Sequence, residues 1–118
     1  MKVGFAIAAL LLCFSTSAHA QDSQFTGNSM YKPCADALQD NASTQIFRQG
    51  QCNGIVTSIY YFGENLSPSR RFCSPEGASS IQALRIVVNY MQANPARLHL
   101  PLFVLVTDAL RAAWPCQN

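Results

Sequence analysis

From residue 45 onward the chain is a succession of apolar positions spaced three and four apart, broken by short polar stretches. Ile46, Phe47, Cys52, Ile55, Val56, Ile59 and Tyr60 recur at that spacing and predict a long helix, ended by the Asn65–Ser69 stretch with Pro68. Ile55 to Phe62 taken alone also fits a strand, but no alternating run with turn signals supports a sheet. Gly50 and Gly54 interrupt the helix at a cost of about 1 kcal/mol each relative to alanine. They lie four apart on one face, which predicts close approach of another helix there rather than a phosphate-binding role. Ser79, Ser80, Ile81 and Gln82 fit a capping box that starts a further helix, with Pro75 and Gly77 keeping the preceding loop out of helix. Ile81, Leu84, Val88 and Met91 form its stripe, widened by Val87, while Ile86 and Tyr90 fall to its side. Asn94 and Pro95 end it.

Pro101 predicts the first position of the last helix. Leu102, Leu105, Val106, Ala109 and Ala113 make one stripe there, and Phe103, Leu110 and Trp114 a second, up to Pro115. A helix apolar on most of its circumference is central or covered by a partner. Upstream, Thr26 caps a short first helix carrying Met30, Tyr31, Cys34 and Leu38, which Pro33 shortens or bends. A polar loop from Gln39 to Ser43 leads to the long helix, with Ser43 or Thr44 as its cap. The pattern predicts an all-α fold, a small four-helix bundle whose short loops favour antiparallel neighbours.

The first twenty residues read differently. Lys2, the apolar run Val3 to Phe14 and Ala18-His19-Ala20 have the three parts of a secretory signal, so the expected division is a signal peptide over 1–20 and one helical domain over 21–118. The apolar run falls short of the ~20 residues that span a bilayer, so no membrane anchor is expected in the mature chain. Bulky Leu12 before Cys13 disfavours a lipid anchor. The short apolar region and the A-x-A site read as bacterial, with export to the periplasm.

Removal of the signal leaves Cys34, Cys52, Cys73 and Cys116, an even set in an oxidising compartment and hence two disulfides. Three pairings are formally open. In a bundle of alternating direction, the end of the second helix lies near the start of the third and the end of the fourth. This favours Cys73–Cys116, and leaves Cys34–Cys52 to close the first connection. A zinc site is disfavoured, since no C-x-x-C occurs and His99 is the one histidine of the mature chain.

The eight Lys and Arg less Lys2 leave seven against six Asp and Glu, a net charge near neutrality. Arg70-Arg71 is the longest basic run, so neither nucleic acid nor a membrane surface is an expected partner. Asp36, Asp40, Glu64, Glu76 and Asp108 are scattered with no metal-binding pattern, and nothing near His99 supplies a nucleophile or an orienting carboxylate. No enzyme and no cofactor are expected. An exported, cross-linked helical domain with surplus apolar surface points to protein binding.

The order of motifs carries a resemblance over Phe25 to Cys116. It comprises T-G-N-S-M-Y-K-P-C, C-N-G-I-V-T-S-I, the C-S-P-E-G corner, the Ser79 cap before Gln82, V-V-N-Y, the N-P stop, the Leu98-His99 pair and A-A-W-P-C. Together they resemble the Rap/Tai family of type VI secretion immunity proteins. The resemblance implies an all-helical periplasmic protein, a homodimer, and neutralisation of a peptidoglycan amidase effector by occlusion of its cleft. I-Y-Y-F-G-E-N-L at the end of the second helix departs from the family pattern in its aromatic content. Interface residues do not carry over by position. From this chain alone the candidate contacts are the loop Gln92 to His99, namely Asn94, Arg97 (able to pair with a carboxylate) and His99, together with Tyr90. The alternatives are a periplasmic stress chaperone and a structural subunit of an envelope complex. The chaperone reading is weakened by how few groups titrate near neutrality.

Overall fold

The computed structural model describes residues 22–39 and 45–117. Helix α1 spans Gly27–Ala37, α2 Ile46–Phe62, α3 Ser80–Ala93 and α4 Leu102–Ala113, with 3-10 turns at Asp22–Phe25, Gly63–Asn65 and Pro95–Arg97. Among the described residues there is no strand, and Ile55 to Phe62 is helix. Each helix touches the other three, so the fold is the expected four-helix bundle. Residues 1–20, Asp40 and the Ser43 or Thr44 cap lie outside the described residues.

Thr26 opens α1 with a reciprocal capping box: its hydroxyl accepts from the Ser29 N–H, and the Ser29 hydroxyl accepts from the Thr26 N–H. Pro33 lies inside α1 without ending it. A proline leaves the carbonyl four residues earlier without its helical donor, and here that carbonyl is Ser29. The guanidinium of Arg48, on α2, donates to it at 3.3 Å and to the Gln24 carbonyl at 3.0 Å. The helix therefore survives its proline through a cation from the next helix.

Ser79 caps α3 by accepting from the Gln82 N–H at 3.2 Å, and Gly77 precedes it at φ 81°, a conformation natural to glycine. The buried face of α3 is Ala83, Leu84, Val87, Val88 and Met91. Ile81, expected in that stripe, lies about a quarter turn off it, in the first turn, and is exposed. In α4, Leu102, Leu105, Val106, Ala109 and Leu110 are buried as expected and Trp114 closes the end. Phe103 falls outside and lies under Arg70, whose guanidinium carbon is 5.4 Å from the ring centre. Pro101 is the cap residue of α4 rather than its first helical position.

Both expected disulfides are formed. Cys34–Cys52 joins α1 to α2, and Cys73–Cys116 joins the loop before α3 to the chain end after α4. The second staples a corner in which the Cys73 N–H donates to the Trp114 carbonyl at 2.9 Å and the Tyr60 hydroxyl to the Ala78 carbonyl at 2.7 Å. Phe72, from the connecting loop, is the largest fully buried side chain and lies against Trp114. Gly63 makes room for it, since a Cβ at that position would overlap the Phe72 ring.

Candidate partner-binding surfaces

The turn between α3 and α4 is held from three sides. Its carbonyls serve the start of α1, whose first N–H groups lack helical acceptors: Gly27 donates to Leu100 at 3.0 Å and Asn28 to Leu98 at 2.7 Å. Gly27 lies too close to Leu98 and Leu105 for any side chain there. On the second side, Arg97 donates to the Asp108 carboxylate of α4 at 2.7 Å. On the third, Arg97 donates to the Tyr90 hydroxyl and its guanidinium packs 5.8 Å from the Tyr90 ring centre, while Asn94 Nδ2 donates to the Tyr90 carbonyl at 2.8 Å.

Three of the four residues singled out in the sequence, Tyr90, Asn94 and Arg97, thus form one cluster. The carboxylate that Arg97 meets is within the chain. Asp108 was missed because eleven residues separate it from Arg97, and nothing in a one-dimensional pattern relates a 3-10 turn to the second turn of the next helix. The hydrogen bond from Arg97 to Asp108, aided by the Asp108 charge and the hydrogen bond to Tyr90, holds the guanidinium above the usual arginine range. Because its folded-state pKa is raised, the guanidinium's contribution is complete throughout the neutral range and is lost as pH rises through that folded-state value in strong alkali. His99 stays apart from the cluster. Its Nδ1–H donates to the Ala96 carbonyl at 3.1 Å, which closes the turn, and its ring is exposed. What the turn offers outward is Pro95, Ala96 and His99.

A second surface is the outer side of α2. Ile46, Phe47, Tyr61 and Phe62 are large, apolar and exposed there. Gly50 and Gly54 have nothing within 4 Å of a Cβ, so among the described residues no helix approaches them as expected. A third feature is an open cleft of about 200 Å³ bounded by Pro68, Arg71, Arg111, Pro115 and Cys116. Its ionisable lining is arginine alone, which offers no group for proton transfer at neutral pH.

The model of the Rap1a immunity protein family matches residues 26–116, from the cap of α1 to the last cysteine. No curated protein and no solved structure matches.

Proposed function

The chain belongs to the Rap1a immunity protein family, and from that premise we propose that it is a periplasmic homodimer that neutralises a peptidoglycan amidase effector of type VI secretion by covering the effector's active-site cleft. The mechanism is steric and asks no catalytic residue of this protein. The observation that carries the reading is the braced turn between α3 and α4. A surface loop that orders only on binding loses affinity to the cost of ordering. This turn carries little of that cost, because Asp108, Tyr90 and the α1 N–H groups already hold it. Arg97 and Asn94 act as positioning residues within it, and Pro95, Ala96 and His99 form the contacting edge. Export by the signal over residues 1–20 places the protein where peptidoglycan is cut.

The test is inhibition of the amidase delivered by the organism's own type VI system. The oxidised protein is expected to abolish cleavage of cross-link peptides near equimolar ratio. Ala96→Glu, on an exposed side chain, is expected to weaken inhibition roughly tenfold or more, as a charge forced into a desolvated contact does, with thermal stability unchanged. Full inhibition by this variant removes the turn from the interface. Absence of inhibition of that amidase by the wild-type protein removes the reading.

A further inference from the structure

The bundle accounts for one side of α2 and leaves the other unexplained. Cys52 and Val56 face the core, and the Cys34–Cys52 bond fixes the helix to α1. On the far side Ile46, Phe47, Tyr61 and Phe62 are 69, 74, 69 and 63% exposed. At about 100° per residue, Phe47, Gly50, Gly54, Ser58 and Tyr61 fall on this side together. Glycine is the costliest ordinary residue in an exposed helix interior, and nothing among the described residues requires either of these two.

The face reads alike in both directions from Gly54. Seven residues before it stands Phe47 and seven after it Tyr61; eight before, Ile46 and eight after, Phe62; four before, Gly50 and four after, Ser58. A partner of unrelated sequence needs no such symmetry. A second copy running antiparallel about a two-fold axis does, because each residue then meets its counterpart twice. We propose that the outer face of α2 is the interface of a homodimer in which two antiparallel copies of α2 meet at Gly54. The inference rests on the dimer named in the proposed function and gives it a location.

In that arrangement Phe47 lies against Tyr61 of the second copy at both ends, with Ile46 and Phe62 closing opposite edges. Glycine faces glycine at the centre, where the backbones come closest. Three aromatic rings and an isoleucine, each about two-thirds exposed, amount to roughly 500 Å² per copy, and roughly 1,000 Å² for the pair reaches the lower bound of a specific interface. The polar cost is small. Arg48, the only charged residue of α2, is turned toward the Gln24 and Ser29 carbonyls. The Ser58 hydroxyl already donates to the Gly54 carbonyl at 2.7 Å.

Sedimentation equilibrium of the oxidised protein, wild type against Gly54→Leu and Phe47→Asp, tests the proposal. Both substitutions fall where the single chain has open space or solvent, so helical circular dichroism is expected to stay within the wild-type range. The dimer dissociation constant is expected to rise at least about tenfold in each. A mixture of Phe47→Cys and Tyr61→Cys proteins is expected to form a disulfide-linked dimer on mild oxidation, and Phe47→Cys alone to form far less. A wild-type protein that is monomeric at tens of micromolar overturns both the interface and the dimer. A wild-type dimer that Gly54→Leu and Phe47→Asp leave intact overturns the interface alone, and the dimer of the proposed function then uses another surface. Amidase inhibition, measured separately, stands or falls independently of either result.

Discussion

Gly63 carries the sharpest steric demand in the bundle. The Phe72 ring occupies the space its side chain would take, and Phe72 anchors the corner against Trp114. Gly63→Ala is therefore expected to lower unfolding free energy by about 1–3 kcal/mol, the usual penalty for overfilling a packed site, measured by urea denaturation. Gly54→Ala, an identical change on open helix, is expected to stabilise the isolated chain by up to about 1 kcal/mol. The opposite signs follow from what surrounds each glycine, which composition does not reveal. Arg48 makes the same point for charge. It reads in sequence as one more surface cation, yet it completes the Ser29 carbonyl that Pro33 leaves without its donor.

At the scale of elements, local chemistry fixes the helix starts. Thr26 and Ser79 each satisfy N–H groups that have no helical acceptor, so Thr26→Ala and Ser79→Ala are each expected to cost about 1 kcal/mol. The effect of Thr26→Ala is expected to be the larger, because it also removes the hydroxyl partner of Ser29. Thermal melts of the two single variants check the order. These starts were legible in the chain because a cap and its first turn are close neighbours, and so were the stops at Asn94–Pro95 and Pro115. The four helices, their stripes and both disulfides followed from spacing and from alternating direction. Less legible was which flank of a stripe faces inward, since that depends on where the neighbouring helices stand. Ile81 and Ala113 were placed on the main stripes and are exposed, as is Phe103 of the second α4 stripe, whereas Ala83 is buried. The braced turn was visible as the loop Gln92 to His99 holding Asn94, Arg97 and His99, with Tyr90 named beside it. Its brace was not, because Asp108 belongs to another element. The two glycines of α2 announced a close approach, yet no described helix of the chain meets them.

For the whole molecule, the cross-links hold what a small core holds weakly. By the chain-entropy account, closing the loop of separation 18 contributes about 3 kcal/mol and that of separation 43 about 4 kcal/mol. Replacing Cys73 and Cys116 together by alanine is thus expected to lower the midpoint of denaturation more than replacing Cys34 and Cys52 together. Equal effects would mean that strain or residual structure, rather than loop length, governs the loss. The pairing has a further consequence for how the protein is made. Among Cys34, Cys52, Cys73 and Cys116, each is bonded to its neighbour in sequence, Cys34 with Cys52 and Cys73 with Cys116. For a chain threaded N-terminus first into an oxidising compartment, every thiol meets its proper partner before a wrong one has arrived. A simple dithiol oxidase then suffices, with no thiol–disulfide exchange needed to correct mistakes. If the chain is exported as proposed, yield in a host lacking disulfide isomerase is expected to match that in its parent.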